Sequence, residues 1–437
     1  MITTLKNAFK IPELRKKILF TFAMLVVIRV GSQLPVPGID GAVFRSWFET
    51  NASDAFNFFD AITGGSFMNM SILALNISPY ITSSIIMQLL TIAIPKLEEM
   101  QREGEDGRKK IVSITRYVTV ALALIQATAM AVSFGRAGYL IQYNALSVIS
   151  AVATLTAGSA FLMWIGERIT EKGIGNGISI VLVINIISRL PQDLSALYDQ
   201  FVKGKPPATA ILAAVIILAI IVAMVVMVII LNDGVRRIPV QYANKVQGRK
   251  MVGGQTSNIP LKVNTAGVIP VIFAQSLLQT PIIISSFAGY NGTGVWSEIL
   301  KYMNSGYWCN ISQIKYTVGL LVYIALIIFF AYFYTSVTFN PLMIADNMKR
   351  QGGFIPGIRP GKPTSDYLNK VLNYIVFIGA IGLTVIAVLP YIFNGVFGAS
   401  VSFGGTSLII IVSVVLETLK QVESQMLVRN YKGFLEK

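Results

Sequence analysis

The sequence predicts an all-α polytopic membrane protein. Three observations lead to this fold class. Hydrophobic residues make up 54% of the 437-residue chain and charged residues only 13%. The mean hydropathy is +0.65, a combination that soluble domains rarely reach. Apolar runs also recur along the whole chain, and most are close to the roughly 20 residues that a helix needs to cross a bilayer.

Ten apolar segments, taken in chain order, are candidate membrane-spanning helices. The first follows a basic leader, but no small-x-small cleavage site comes after it, so we interpret it as a retained helix and not a signal peptide. The fifth is short and contains Asn185 and Ser188, yet dropping it would place the later basic loops on both sides of the membrane. The ten segments are 18–34, 72–94, 111–134, 147–167, 174–190, 209–231, 265–287, 314–339, 368–390 and 404–424.

The distribution of positive charge predicts the orientation. Most of the 36 Lys and Arg residues lie in loops on the same side as the N-terminus. Because cytoplasmic loops carry the excess of Lys and Arg, we expect both termini in the cytoplasm and an even number of spans. Arg29, inside the first segment, is expected to snorkel to the interface. The loops on the opposite side contain only Arg45, Arg136, Arg189, Lys203, Lys205, Lys301 and Lys315.

Two of the cytoplasmic loops, 232–262 and 345–367, are basic and longer than a connection requires. Topology alone explains positive charge in the short loops. Two large basic loops on one side also favour a docking surface for a large, partly anionic partner, such as a nucleoprotein.

Several kinds of chemistry are excluded by residue content. The chain has no His and one Cys, Cys309, so it has no imidazole base, no internal disulfide and no Cys-based metal site. The stretch GIRPGKPT resembles a phosphate-binding loop, but Pro356 and Pro363 stand where that motif needs Gly and Ser or Thr. We therefore expect no catalytic residues, no metal and no cofactor, and an energy source outside this chain.

Polar residues and prolines interrupt the apolar segments. Pro79, Pro270 and Pro281 predict bends in the second and seventh segments. The amides of Gln88, Gln126 and Gln275 either hydrogen-bond between helices or line a path that opens. No acidic side chain marks an ion site at the middle of a span, which lowers the case for a secondary solute transporter without removing it.

The stretch FNFFDAITGGSFMNMSILALNISPY, residues 56–80, lies between the first two segments. It is too apolar for a loop in water, and Gly64, Gly65, Asn69 and Asn76 interrupt it too often for a span. Irregular backbone at membrane depth is tolerated only inside protein or a water-filled cavity. The residues fit either a re-entrant helix that blocks a cavity or an amphipathic helix on the outer surface.

Several blocks of residues, spread along nearly the whole chain, are distinctive. The blocks are SPYITSSIIMQLL (78–90), REGEDGRKKI (102–111), FLMWIGERITEKGIGNGISI (161–180), PLKVNTAGVIPVIFA (260–274), ADNMKRQGGFIPGIRPGKPT (345–364) and GGTSLIIIVSVVLETLKQVESQ (404–425). In this order they resemble the SecY family, the channel-forming subunits of protein translocons. The resemblance implies two inverted five-helix halves, 1–190 and 191–437, around an hourglass pore. The outer loop 288–313 departs from the family pattern.

The resemblance also implies a re-entrant plug helix at about 57–70, which selects the first of the two interpretations of that stretch. Its glycines would give the backbone the freedom to leave the pore. The expected plug residues are Phe58, Phe59, Ile62, Gly64, Gly65, Phe67 and Met68.

Three further sets of residues follow from the family motifs. A ring of branched aliphatic side chains would form a narrow, dewetted constriction. The ring residues are Ile77, Ile81, Ile178, Leu182, Ile272 and Ile410. The residues expected at a lateral gate are Thr82, Gln88, Gln126, Gln275 and Thr280. The residues expected to dock the SecA motor or the ribosome are Arg236, Arg237, Arg249, Lys250 and Arg359.

The function that the resemblance implies is a passive protein-conducting channel in the bacterial cytoplasmic (inner) membrane. SecE and SecG would be its partner subunits, and the SecA ATPase or the translating ribosome would drive it. It would bind signal sequences and nascent or unfolded polypeptides and release transmembrane helices into membrane lipid. The alternatives are a secondary solute transporter and a scaffold or insertase without a continuous pore.

Overall fold

A computed structural model of the chain describes residues 8–51, 60, 63–242, 245–247, 250–252, 256–287, 294–309, 311–397 and 405–435. These residues are mostly helical. In chain order the described helices are α1 (Pro12–Gly31), α2 (Gly41–Asn51), α3 (Ser78–Ala93), α4 (Pro95–Arg102), α5 (Glu105–Arg136), α6 (Ala145–Lys172), α7 (Gly177–Phe201), α8 (Pro207–Asp233), α9 (Ile269–Phe287), α10 (Val295–Met303), α11 (Val318–Thr338), α12 (Pro341–Arg350), α13 (Lys362–Phe397) and α14 (Gly405–Leu435). Two short 3-10 helices, Ser305–Tyr307 and Ile311–Thr317, precede α11.

Among the described residues, five short strands make the prediction of an all-α fold wrong in one region. They are β1 (Val235–Tyr242), β2 (Lys245–Gln247), β3 (Lys250–Val252), β4 (Thr256–Lys262) and β5 (Gly353–Phe354). Strand β1 pairs antiparallel with β4 and with β5. Ile238 and Val240 of β1 are buried while Arg237, Pro239 and Gln241 are exposed, the alternation of a strand with one solvated face. The basic loop 232–262 therefore contains a sheet that its charge alone did not predict.

The helices confirm a multi-pass membrane protein. A helix lies at each of the ten predicted segments. Among the described residues six helices are long and apolar enough to cross a membrane, and α3 with α4 makes a seventh if this pair, bent by 106°, is one span. The number of ten spans stays a prediction. The six are Glu105–Arg136, Ala145–Lys172, Gly177–Phe201, Pro207–Asp233, the stretch Gln313–Arg350, which contains both α11 and α12, and Lys362–Phe393.

Pro281 lies inside α9, and the bend expected there stays a prediction. The expected bends at Pro79 and Pro270 are wrong. Each proline stands in the first turn of its helix, α3 or α9, where the missing N–H would have had no partner within the helix. The bend in this part of the chain comes later, between α3 and α4 at Pro95. Helix α7 continues past Pro191 to Phe201, so the weak fifth segment is the first part of a 25-residue helix.

Two sets of helices pack together to form the molecule. In the first set α6 packs against α1, α5 and α7, and α3 packs against α5. In the second set α11 packs against α9 and α13, and α14 packs against α8 and α13. The two sets meet on one side where α7 touches α8 and α14, and on the other where α5 touches α9. The space between these two seams holds the candidate site.

The described residues between 294 and 317, a segment that overlaps the predicted outer loop 288–313, pack against α11. Trp308 is buried, and its indole N–H donates to the Tyr302 carbonyl over 2.8 Å. That carbonyl lies where a Cβ on Gly319 would be, so the two segments approach closely. The hydrogen bond from Tyr316, followed by Lys315, lowers the pKa of the Glu298 carboxyl. This outer segment is thus fixed to the second set of helices.

Candidate functional site

The six predicted ring residues lie in one apolar cluster, here called the central cluster. They come from four elements: the start of α3, the start of α7, α9 and α14. Ile77, Leu182 and Ile410 are buried, and the other three ring residues are half-buried at the edge. The buried members of the central cluster are Ile28, Leu73, Ile77, Leu162, Ile165, Ile169, Val181, Leu182, Val183, Ile186, Ile410 and Val414, and Ile81, Ile178 and Ile272 pack against them.

Local structure explains how α7 positions two of these side chains in the central cluster. The side chain of Asn176 caps the helix by accepting from the backbone N–H groups of Ile178 over 3.1 Å and Ser179 over 3.4 Å. Ile178 and Leu182 then stand four residues apart and share one face. The cap therefore fixes the register that points both side chains to the centre.

The start of α3 positions Ile77 and Ile81 in the central cluster in a similar way. The carbonyl of Ile77 accepts from the backbone N–H groups of Tyr80 and Ile81, both over 3.0 Å. Ile77 and Ile81 are again four residues apart on one face. Pro79 supports this start because its fixed φ suits a first helical turn.

The chemistry of the ring is that of branched hydrocarbon. Such side chains offer no hydrogen bonds or charge to water or ions, so a narrow constriction made of them is dewetted. Their attraction to one another is dispersion, which is non-specific, so another side chain can replace each contact. An arrangement of this kind can close against ions and still separate around a polypeptide.

The predicted plug contacts α7 beside this cluster, at Asn185 and Ser188, while its Phe67 and Met68 belong to a separate apolar cluster. Its secondary structure differs from the expectation. A helix was expected to about residue 70, whereas residues 64–70 form turns. Gly64 and Gly65 have φ values of +67° and +83°, which an α-helix cannot contain. Phe58, Phe59 and Ile62 of the predicted plug lie outside the described residues. Gly64, Gly65, Phe67 and Met68 are described, and all four are buried.

An aromatic cluster covers the far side of this segment. The ring of Phe67 packs edge-on against Phe44 and Phe48, with ring centroids 5.6 and 5.9 Å apart. Between residues 63 and 77 every residue is buried except Asn69 and Ile72, which are half-buried. This burial contradicts the alternative of an amphipathic helix lying on the outer surface, because such a helix would leave one face uncovered.

A polar network, which the sequence did not predict, holds the segment to α1 and α7. Arg29 donates to the carbonyl of Gly64 over 3.2 Å and to the side-chain oxygen of Asn185 over 3.3 Å. The Asn185 amide donates to the Asn76 side chain over 3.1 Å, and Ser159 donates to the Asn76 carbonyl over 3.1 Å. The expectation that Arg29 snorkels to the interface is therefore wrong, because its guanidinium is used inside the protein.

An ion pair makes the second attachment. The carboxylate of Asp60 pairs with the guanidinium of Arg189 on α7 and also accepts from the backbone N–H of Met68 over 2.7 Å. Asp193, one turn further along α7, has a carboxylate oxygen 3.9 Å from Nε of Arg189. Sequence reasoning placed Arg189 in an outer loop as a topological charge. The available signal was the presence of ionisable residues beside apolar segments, which is uncommon without a role.

The predicted gate residues are only partly brought together. Helices α5 and α9 touch, as a gate between them requires. Gln275 of α9, however, is buried on its own side, donating to Tyr391 over 2.9 Å and accepting from Thr406 over 3.3 Å. Thr280 is exposed and donates to the carbonyl of Ser276. The other three predicted gate residues are half-buried on α3 and α5, namely Thr82, Gln88 and Gln126.

The predicted docking residues lie on loops that the sheet joins. Strand β1 of the first basic loop pairs with β5 of the second, and Ile238 and Ile355 share one apolar cluster. Arg236, Arg237 and Arg359 are exposed. Arg249 lies outside the described residues, and of Lys250 only the backbone, in β3, is described. The two basic loops thus form one unit at this end of the molecule.

Comparison with known proteins gives consistent matches over the full chain. The SecY family model matches residues 71–419. A "Protein translocase subunit SecY" from Streptomyces scabiei is 43% identical over 451 residues, with 100% of both chains covered. A solved structure described as "The structure of a protein conducting channel" superposes with a TM-score of 0.63 at 19% identity, covering 97% of each chain. Sec61 in the canine ribosome-channel complex from the endoplasmic reticulum gives a TM-score of 0.60 at 18% identity, again covering 97% of each chain.

Proposed function

This chain belongs to the SecY family, and from that premise we propose how it works as the channel subunit of a protein translocase. The observation that carries the proposal is the convergence of α3, α7, α9 and α14 on the central cluster, with the buried segment 63–77 packed against it. A polypeptide would cross the membrane where these aliphatic side chains now touch one another.

The closed channel has two barriers in series in this proposal. The six ring residues form the constriction, and their branched side chains keep it dry. The plug, at about residues 57–70, would fill the space on the outer side of the ring. Opening moves the plug aside and separates the ring, so that the polypeptide replaces the lost dispersion contacts with its own.

Two halves, 1–190 and 191–437, each with five of ten spans around an hourglass pore, would supply the motion. The contacts of α7 with α8 and α14 make one seam, which we propose as the hinge. The contact of α5 with α9 makes the other seam, which would open sideways to lipid. Thr82, Gln88 and Gln126 would line that opening. Gln275 would act from within the second half, because its hydrogen bonds hold it there.

The basic unit formed by β1, β4 and β5 is the proposed docking surface. Exposed Arg236, Arg237 and Arg359 can bind either ribosomal RNA or an acidic protein surface, since clustered positive charge attracts both. The ribosome is supported as a partner by the canine Sec61 structure, which is a ribosome-channel complex. We also propose SecA as the motor, SecE and SecG as partner subunits, and a cytoplasmic membrane with both chain termini inside, which family membership supports.

A non-enzymatic channel explains the chain better than the two alternatives. A solute transporter would need a specific binding site at mid-membrane. The names of the matched relatives, which are protein translocase subunits, favour the channel instead. A scaffold without a pore gives no reason for a buried, irregular segment packed against a ring of aliphatic side chains.

The experiment that tests this function is protease protection of a secretory precursor. Vesicles would contain this chain with SecE, and SecA with ATP would be added outside. We expect protected precursor only when ATP and a functional signal sequence are both present. A precursor with a defective signal sequence and a reaction without ATP are the matched controls. Absence of protection, with the chain shown to be folded and correctly oriented, would overturn the proposal.

A further inference from the structure

Arg189 faces two carboxylates, one on its own helix and one on the predicted plug. Only the first keeps its position relative to Arg189 if the plug moves. Asp193 stands four residues further along the same helix, α7, at 3.9 Å from Nε. Asp60 belongs to the predicted plug and pairs with the same guanidinium. Asp60 and Asp193 are buried, with 0% and 8% of their side chains exposed, and the Arg189 side chain is mostly buried, with 12% exposed. One buried cation therefore has a fixed acid and a detachable one.

A buried charge without a partner is costly, because its hydration is lost and nothing replaces it. If segment 60–70 left its place, Asp60 would go with it. Arg189 would then face the interior alone unless another anion were already within reach. Asp193 is within reach, since residues four apart in a helix are neighbours and a small rotation of the guanidinium shortens the 3.9 Å separation.

We propose that Arg189 exchanges its counterion during channel opening: Asp60 in the closed state and Asp193 in the open state. This inference rests on the proposed function, in which segment 60–70 is part of a plug that moves. Asp60 and Arg189 are then positioning residues that hold the plug, and Asp193 makes its release less costly. The hydrogen bond from Arg29 to the Gly64 carbonyl is a second attachment that opening must also break.

The exchange predicts opposite effects for two chemically identical substitutions. Asp60→Asn removes the detachable acid, leaves Asp193 as the counterion of Arg189, and loosens the plug. We expect a several-fold increase in resting ion conductance of planar bilayers that contain the channel complex. Asp193→Asn keeps the closed-state pair but leaves Arg189 without an anion after opening. We expect no increase in resting conductance and a several-fold slower export of precursor.

The matched control is Asp199→Asn on the same helix. Asp199 pairs with Lys203 over 2.9 Å, and both side chains are exposed. An exposed pair contributes little, so this variant should equal the parent in both measurements. Asp193→Glu keeps the negative charge and should export at close to the parental rate, which separates loss of charge from a general disturbance of α7.

A second measurement does not depend on conductance. The Cys309→Ala substitution removes the only native thiol. Adding Met68→Cys then places a single thiol on the plug, and its accessibility shows whether the plug has moved. Met68 is buried in the closed state, so labelling by a membrane-impermeant maleimide added on the outer side measures displacement. Asp60→Asn should accelerate this labelling several-fold in the resting channel, whereas Asp193→Asn should not.

The outcomes separate the counterion exchange from the proposed function. If the parent complex translocates precursor but Asp60→Asn and Asp193→Asn change conductance and labelling in the same direction, or neither changes them, the exchange is wrong and the channel function stands. If the parent complex fails to translocate, the proposed function itself is wrong. A variant that does not assemble, judged by its recovery in complex with SecE, is replaced by the Glu variant at the same position, which should resemble the parent.

Discussion

Gly64 shows best what a single residue contributes to this site. Its φ of +67° lies in the left-handed region, and a Cβ there would come within 2.6 Å of the Asn185 carbonyl oxygen. Gly65 also has a positive φ, +83°, but nothing lies within 4 Å of its Cβ position. The sequence indicated only that two glycines loosen the segment. The structure shows that Gly64 is required for close packing as well as for its backbone angle.

Gly64→Ala should therefore loosen the plug more than Gly65→Ala does. Both variants bear the cost of a left-handed alanine, about 1–2 kcal/mol. Only Gly64→Ala adds a clash with α7 and weakens the hydrogen bond from Arg29 to the Gly64 carbonyl. Resting ion conductance in planar bilayers should rise for both, and clearly more for Gly64→Ala. Equal conductance for the two variants would show that packing against Asn185 does not hold the plug.

The ring residues could not have been found from residue patterns. Each is an ordinary aliphatic residue in an apolar segment, and only family motifs singled out Ile77, Ile178 or Ile410. The structure adds that all six ring residues come together, which sequence spacing cannot show because they lie on four elements far apart in the chain. The polar contacts of Arg29 and Arg189 were not predicted for a related reason. Their positive charges were interpreted as signals of membrane topology, and sequence spacing does not show a partner that is distant along the chain.

At the scale of elements, apolar length predicted the positions of the long helices well. Ends and interruptions were predicted less well, because prolines were taken as bends where Pro79 and Pro270 begin helices. The strands of loop 232–262 were not predicted because the loop was interpreted from its basic charge alone. The alternation of Ile238 and Val240 with polar neighbours, which indicates a strand, was not considered. The segment predicted as a plug was expected to be helical to residue 70, whereas residues 64–70 form turns that begin at two glycines with positive φ, Gly64 and Gly65.

Deleting residues 60–70 should raise ion leak and relax discrimination among signal sequences without abolishing export. The deletion removes Asp60, the Gly64 carbonyl and Phe67, and with them the attachments to Arg189, Arg29 and the aromatic cluster. The ring remains, so the channel still closes in part. Planar-bilayer conductance and export of precursors with graded signal sequences measure the two effects. Unchanged conductance would contradict the assignment of this segment as the plug.

Replacing Arg359 with Glu should impair SecA-driven export more than it impairs assembly of the channel into the membrane. Its side chain is exposed, and reversal of one charge in a basic docking surface weakens binding to an anionic partner. Arg136→Glu, on an exposed residue at the end of α5 and on the predicted outer side, is the matched control. Equal loss of export and of assembled Arg359→Glu protein would mean that the residue serves folding or topology instead.

At the scale of the whole molecule, the two seams organise the structure. The excess of positive charge in alternate loops predicted an orientation for each segment, but not which helices touch. The contacts of α7 with α8 and α14, and of α5 with α9, come only from the structure. They enclose the central cluster between two sets of helices, which is the arrangement that a pore through this chain requires.

The central claim is that a polypeptide crosses the membrane through the central cluster, and site-specific photo-crosslinking to an arrested precursor tests it most directly. A photoreactive residue would replace Ile272 in the cluster or, as control, Leu321 on α11, whose side chain is 63% exposed on the outside of the helix bundle. We predict that the arrested precursor crosslinks at position 272 and not at 321. Crosslinking at 321 without any at 272 would contradict a path through the interior of this chain.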